Sequence, residues 1–176
     1  MARRAAFLTC LITLLVGALA PGAVLPAVDS RTSMAALEGG VLAELNDVRA
    51  ANGLRPLRLS PALSAAARQH TSEMLADGYF EHESFGGWPF WKRIQRFYAR
   101  GNYDRWSVGE NLLWSSADIR AKKAVELWMA SPGHRENILA PTWREIGIAA
   151  VHADSSVGTF GGGAVTVITT DFGVRR

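Results

Sequence analysis

From residue 37 to residue 48 the apolar side chains Leu37, Val41, Leu45 and Val48 recur at helical spacing with polar residues between them. That period predicts a helix with one buried stripe, and Gly53 closes it as a C-terminal cap. Leu54-Arg55-Pro56-Leu57-Arg58-Leu59 reads as a connector packed through its leucines. Ser60-Pro61 then opens a second helix, with a side-chain cap followed by proline at the first helical position. Leu63, Ala66, Ala67, His70 and Met74 share its inner face, and Gly78 ends it.

The pattern loosens between residues 79 and 106, a stretch rich in aromatic residues with a turn at Gly86-Gly87. Residues 90–98 form a short helix in this reading, with Phe90, Ile94 and Phe97 inward. Residues 108–114 are extended. A further helix begins at Ser116 or Asp118, buries Ala121, Ala124, Val125 and Trp128, and is stopped by Pro132. Two strands finish the chain, 146–152 and 164–172, the second β-branched and alternating, with the glycines at 161–163 turning into it. Helices at the front and strands at the back predict one α+β domain with a small, mainly antiparallel sheet.

The N-terminus stands apart from that domain. Met1-Ala2-Arg3-Arg4 is a short basic start, an apolar run follows over residues 5–20, and small residues and prolines come next. This is the layout of a secretory signal peptide. A membrane anchor is the competing reading, but a span needs roughly 20 apolar residues and this run falls a little short. Pro21 makes a cut after Ala20 awkward, and a site near Ala27 suits better. The organisation is therefore a signal peptide over 1–27, a short leader over 28–36 and a folded domain over 37–174.

Removing that leader changes the composition. The only cysteine, Cys10, lies inside the apolar run, so the mature chain has neither disulfides nor a thiol nucleophile. The 19 basic side chains include Arg3 and Arg4, which leaves 17 against 16 acidic ones. The charges are interspersed, so nothing calls for nucleic acid or an anionic membrane as partner.

Candidate chemistry rests on the histidines. His82 follows a helix end in Phe80-Glu81-His82-Glu83-Ser84, where a side chain is free to face a cleft. His134 sits in Ser131-Pro132-Gly133-His134, a corner punctuated by proline and glycine. Glu110 lies beside Gly109 in the short extended segment. Two imidazoles and a carboxylate suit a divalent metal such as zinc, with water at the open position. They equally suit acid–base chemistry, with the carboxylate fixing a tautomer. Spacing alone does not bring the three together: there is no HExxH and no i, i+4 pair of histidines. His70, on an apolar helix face, reads as a hydrogen-bonded core residue, and His152, beside Asp154 at a sheet edge, has no assigned role.

Several of these segments resemble those of the CAP superfamily, the cysteine-rich secretory, antigen 5 and pathogenesis-related proteins that share the SCP domain. The resemblance is carried by Gly109-Glu110-Asn111, by the run from Trp128 through Ser131-Pro132-Gly133-His134 to Leu139, and by Glu145-Ile146-Gly147. Leu45-Asn46 with Arg49, residues 65–74, His82 with Ser84, residues 89–94 and Asp171-Phe172-Gly173 extend it over nearly the whole mature chain. The form is similar to the cysteine-free bacterial branch. It implies an α-β-α sandwich, helices flanking the sheet, around a central cleft. His82 and His134 then match the two cleft histidines, and Glu110 the first cleft glutamate.

Two departures follow from the same comparison. A second cleft glutamate, three residues after the helix tryptophan in eukaryotic members, is replaced here by Ser131. Glu126 is no substitute, because it lies roughly 200° around the helix from Trp128 and falls with Lys122 and Lys123 on the polar side. Thr170 stands where many relatives carry glutamine.

The resemblance leaves three functions open. The first is an exported binding module in which His82, Glu110 and His134, with Ser84 and Ser131 nearby, hold a divalent cation, a small apolar ligand, a cell-envelope component or a protein. His82 and His134 would be the metal ligands, with Glu110 as ligand or behind them. The aromatic residues Phe85, Trp88, Phe90, Trp91, Phe97, Tyr98, Tyr103 and Trp106 would line an adjoining groove where they are exposed. The second is a peptidase-like hydrolase, using an imidazole base with Ser84 or Ser131, or a metal-activated water. The third is a structural or adhesive surface protein with a vestigial cleft.

Overall fold

The computed structural model describes residues 30–116 and 118–176. The proposed signal peptide lies outside the described residues. The first helix, α1 (Ser30–Ala51), starts ahead of the leucine stripe that marks it in the sequence, so it takes in most of the expected leader. Leu37, Val41 and Leu45 are buried as the period requires. Gly53 closes the helix at φ 68°, where a side chain would be strained.

The connector contributes a two-residue strand, β1 (Arg58–Leu59), and packs through Leu57, while Leu59 is exposed. Helix α2 (Pro61–Asp77) begins and ends as its sequence predicts: Ser60 Oγ accepts from the Leu63 amide, Pro61 takes the first turn, and Gly78 ends it at φ 69°. Its inner face is Leu63, Ala66, Ala67, His70, Thr71 and Met74. Helix α3 (Phe90–Phe97) follows the aromatic loop. Its inward residues are Arg93 and Ile94, and Phe97 turns outward instead of into the core.

Strand β2 (Trp106–Ser115) leads to α4 (Ala121–Ala130), which buries Ala124, Val125 and Trp128. Pro132 ends α4 as expected, but it also starts another helix, α5 (Pro132–Leu139), from the first-turn position that proline favours. Strands β3 (Glu145–Ala153) and β4 (Val165–Arg175) complete the chain, separated by a single 3-10 turn at Gly158–Phe160.

Among the described residues the strands form one sheet in the order β1-β3-β4-β2. β2 and β3 both pair antiparallel with β4, and only the two residues of β1 run parallel to β3. Alternation divides the side chains between two layers. Ile146, Ile148, Ile168, Phe172 and Val174 pack with α1, α4 and α5, around Trp128 and Ile138. Leu112, Val165 and Val167 meet Met74 of α2, and Val108 meets Leu63, Ile94 and Tyr98. The fold is the expected α+β sandwich, helices on both faces of a mainly antiparallel sheet. Helix α2 lies very close to that sheet: a Cβ on Gly147 would come 2.0 Å from the Leu63 carbonyl carbon.

Candidate functional site

The sheet order leaves β2 at an edge, and the site is built around that strand. Its alternation sends Glu110 to the α2–α3 layer and Asn111 to the α5 layer. Glu110 has no exposed side-chain surface. One of its oxygens, Oε1, accepts from His82 Nδ1 at 2.8 Å, and Oε2 accepts from Arg93 Nη2. Arg93 is itself buried and reaches from α3 to hold the loop as well, donating to the His82 carbonyl at 3.2 Å and to Ser84 Oγ at 3.4 Å. The loop histidine is thus fixed through both its ring and its backbone.

His134 is fixed from the other layer. It lies in the first turn of α5, not in an irregular corner, and its carbonyl accepts from Asn111 Nδ2 at 3.1 Å. Asn137, one turn on, donates to Asn111 Oδ1 and to the Glu110 carbonyl, both at 3.0 Å. Gly109 keeps this packing close, since a Cβ there would come 3.0 Å from the Trp143 ring and 3.2 Å from Asn137 Oδ1. Arg49 of α1 secures the far end of α5, donating to the carbonyls of Ile138 at 2.6 Å and Ala140 at 3.1 Å. Buried donors on α1 and β2, Arg49 and Asn111, together with Asn137 of the helix itself, therefore set the position of one short helix.

Both imidazoles lie near the β2 edge, and the charge of His82 is felt at His134. The hydrogen bond to Glu110 raises the His82 pKa above the usual imidazole value, against the opposing effect of burial. His134 is shifted the other way, lowered first by burial and then by the nearby His82 charge. Nδ1 of His82 is engaged, so Nε2 on the far side of the ring is the nitrogen left for a ligand. The His134 ring has no hydrogen bond among the described residues.

Sequence reasoning missed two members of this cluster. Arg93 could have been found, since it lies three residues from Phe90 and next to Ile94 on the inner side of α3. Asp171 is the one charged residue within the β-branched run of β4. It faces Glu110 across the sheet and is completely buried. Burial and the Glu110 charge raise its pKa well above the carboxylate range, so this carboxyl keeps its proton where an exposed aspartate would not.

The other candidate residues lie around this centre. Ser131 is half-buried at the α4–α5 junction, three residues after Trp128. Neither Ser84 nor Ser131 is hydrogen-bonded to an imidazole among the described residues. Glu126 is exposed beside Lys123, away from the centre. His70 is the core histidine expected, its Nε2 2.9 Å from the Glu81 carbonyl oxygen. His152 sits between Thr166 and Asp154. Thr170 is buried, its hydroxyl directed at the Asn111 carbonyl.

Beside this centre, α2, α3 and the loop over residues 84–88 enclose a groove of about 610 Å³. Of the eight aromatic residues considered for such a groove, Trp88 and Trp91 line it. Phe85, Phe97 and Tyr103 are exposed elsewhere, Phe90 and Trp106 are half-buried, and Tyr98 is core.

The model of the cysteine-rich secretory protein family, CAP, matches residues 42–169, most of the chain. The chain belongs to the cysteine-rich secretory protein family. This CAP domain is 33% identical over 125 residues to the uncharacterized protein YkwD of Bacillus subtilis, covering 70% of the chain and 46% of that relative. It is 29% identical over 111 residues to the uncharacterized membrane protein YlbC of the same organism, covering 63% of the chain and 30% of the relative. The chain thus spans less than half the length of either curated relative. Among solved structures, an extracellular protein containing an SCP domain from Bacillus anthracis superposes with a TM-score of 0.64 at 21% identity, over 86% of this chain and 45% of that one. An outer surface protein of Borrelia burgdorferi gives 0.61 at 19% identity, over 77% and 90%. These two likenesses establish a shared CAP fold. With Cys10 as its single cysteine, the chain is a cysteine-poor member.

Proposed function

We propose that this CAP domain is an exported binding module whose cleft presents two imidazoles, His82 and His134, to a divalent cation or to a polar group of a partner. The observation that carries this reading is the chain Arg93–Glu110–His82. A buried carboxylate takes a guanidinium on one oxygen and an imidazole on the other, which fixes the tautomer and direction of a half-exposed histidine. Carboxylate–histidine pairs of this kind orient metal-binding imidazoles elsewhere.

The donor set fits a cation held at few points. Among the described residues no three histidine, cysteine, aspartate or glutamate side chains group as a metal cage. His82 Nε2 and His134 would be the ligands, and Glu110, with both oxygens engaged, would sit behind them. A lowered pKa suits His134 to this role, because a neutral imidazole is the form that binds metal, whereas at His82, with its raised pKa, a cation would have to displace the proton. A bound cation would supply a Lewis-acidic point for an oxygen of the partner.

Export is supported by the N-terminal pattern of basic start and short apolar run. No helix among the described residues is long and apolar enough to cross a membrane. A small apolar ligand or a cell-envelope component is the other expected occupant of the cleft itself.

Calorimetric titration of zinc and manganese into the purified protein tests the reading. The expected result is a saturable isotherm at one equivalent for at least one ion, abolished in the His82→Ala, His134→Ala double variant. Isotherms indistinguishable between the two proteins would remove the site.

A further inference from the structure

The groove between α2 and α3 has a lining that neither the imidazole pair nor the core explains. Trp88 is 58% exposed and Trp91 40%, although large apolar rings at a concave surface are favourable to cover. The Nζ of Lys92 stands 4.6 Å from the centre of the Trp88 ring and 5.6 Å from that of Trp91. One ammonium therefore holds both rings from the side of the helix.

Charge adds a second, independent constraint. Lys92 and Arg96 lie four apart on α3, a like-charge spacing that weakens a helix by itself. Neither forms a salt bridge among the described residues. The other charges at the groove do not balance them. Arg93 is committed to Glu110, and the Glu73 carboxylate is turned toward His70, 3.5 Å from its Nδ1. The groove thus carries two cations without a carboxylate partner among the described residues, beside two exposed indoles.

Gln69 of α2 and Gln95 of α3 also line the groove, and their amides bring both donors and acceptors to it. A plain acyl chain laid over them would offer neither amide a partner. A sugar ring avoids this. Its axial C–H groups are complementary to the negative face of an indole, and its hydroxyls satisfy amides in either sense.

We propose that this groove binds an acidic oligosaccharide, with a sugar ring against Trp88 and Trp91 and a carboxylate between Lys92 and Arg96. The site goes beyond the imidazole cleft and does not depend on it, since none of its four recognition side chains touches His82 or His134. Arg93 forms the wall between the two.

Tryptophan fluorescence and calorimetry of the full chain test the proposal against a panel of oligosaccharides of four to six sugars. The panel holds uronic-acid chains and N-acetylated amino-sugar chains bearing a lactyl carboxylate, each beside its neutral counterpart, with palmitate as the hydrocarbon control. The expected result is that at least one carboxylate-bearing chain binds at least tenfold more tightly than its neutral counterpart, and loosens as salt is raised. Trp91→Ala and the Lys92→Ala, Arg96→Ala double variant should each weaken it at least tenfold, with unchanged circular dichroism. The His82→Ala, His134→Ala variant should bind as the parent does, which separates failure here from failure of the cation site. Binding of no acidic chain, equal binding of the neutral chain, or Trp91-dependent binding of palmitate alone would overturn the proposal.

Discussion

Glu110 on β2 and Asp171 on β4 are direct cross-strand partners, two buried carboxyl groups on the same face of the sheet. Like charges at that distance and depth do not both ionise. Arg93 and His82 claim Glu110, so the proton stays on Asp171. An acid whose folded-state pKa is raised stabilises the fold below its unfolded value, near 4, and loses that contribution as pH rises through the folded value. Asp171→Asn supplies a neutral side chain at every pH. Its thermal midpoint should equal or exceed that of the parent at pH 7 and vary less between pH 4 and pH 7. A lower midpoint at pH 7 would mean that Asp171 is ionised in the fold.

Arg93 balances the Glu110 carboxylate and tethers the His82 loop. Arg93→Ala leaves the buried Glu110 with His82 as its one remaining partner, and removing one partner of such a buried pair costs about 3–5 kcal/mol. Denaturant unfolding should register a loss of that size. Arg93→Lys should recover only part of it, because an ammonium does not reproduce contacts to Glu110, Ser84 and the His82 carbonyl in one plane. Full recovery with lysine would mean that charge alone matters there.

The two cleft histidines should titrate on opposite sides of the ordinary imidazole value of about 6.5. Their effects on stability have opposite signs. The contribution of His82, whose pKa is raised by its bond to Glu110, is present below about 6.5 and fades as pH rises through the folded value. That of His134, lowered by burial, is present above about 6.5 and lost as pH falls through its folded value. Nuclear magnetic resonance of the imidazole carbons gives both midpoints. In His82→Ala the His134 midpoint should move up, since a neighbouring positive charge is gone. A stationary midpoint would show that the two rings do not share a cleft.

Two glycine substitutions separate close packing from open helix surface. Gly147→Ala would drive a methyl into the backbone of α2 at Leu63 and Ser64, and the loss should reach or exceed the upper end of about 1–3 kcal/mol for overpacking. Gly39→Ala, inside α1 with open space around it, should stabilise by about 0.5–1 kcal/mol. Equal midpoints for the two variants would contradict this packing of α2 on the sheet.

The elements are legible wherever one local signal decides them. The Ser60-Pro61 start, the Gly53 and Gly78 caps and the alternation of β4 all hold in the fold. Phe97 departs from its expected inward place because it is the last residue of an eight-residue helix, and the next residue, Tyr98, fills the core there instead. Helix α5 escapes a reading of the sequence because Pro132 both ends one helix and begins the next. His82, Glu110 and His134 are individually visible, but their convergence depends on β2 lying at a sheet edge. Strand order is a property of pairing between distant segments, so spacing alone carries no sign of it. The Asp171 carboxyl is hidden for the same reason, its meaning resting on a partner many residues away in β2.

The most direct measurement on the cleft is a zinc titration followed through the imidazole resonances of His82 and His134 in the full chain. The expected result is that both shift together along one binding curve that saturates at one equivalent, with His70 and His152 unmoved. Separate curves for His82 and His134, or no shift in either, would contradict a shared cation site at the edge of β2.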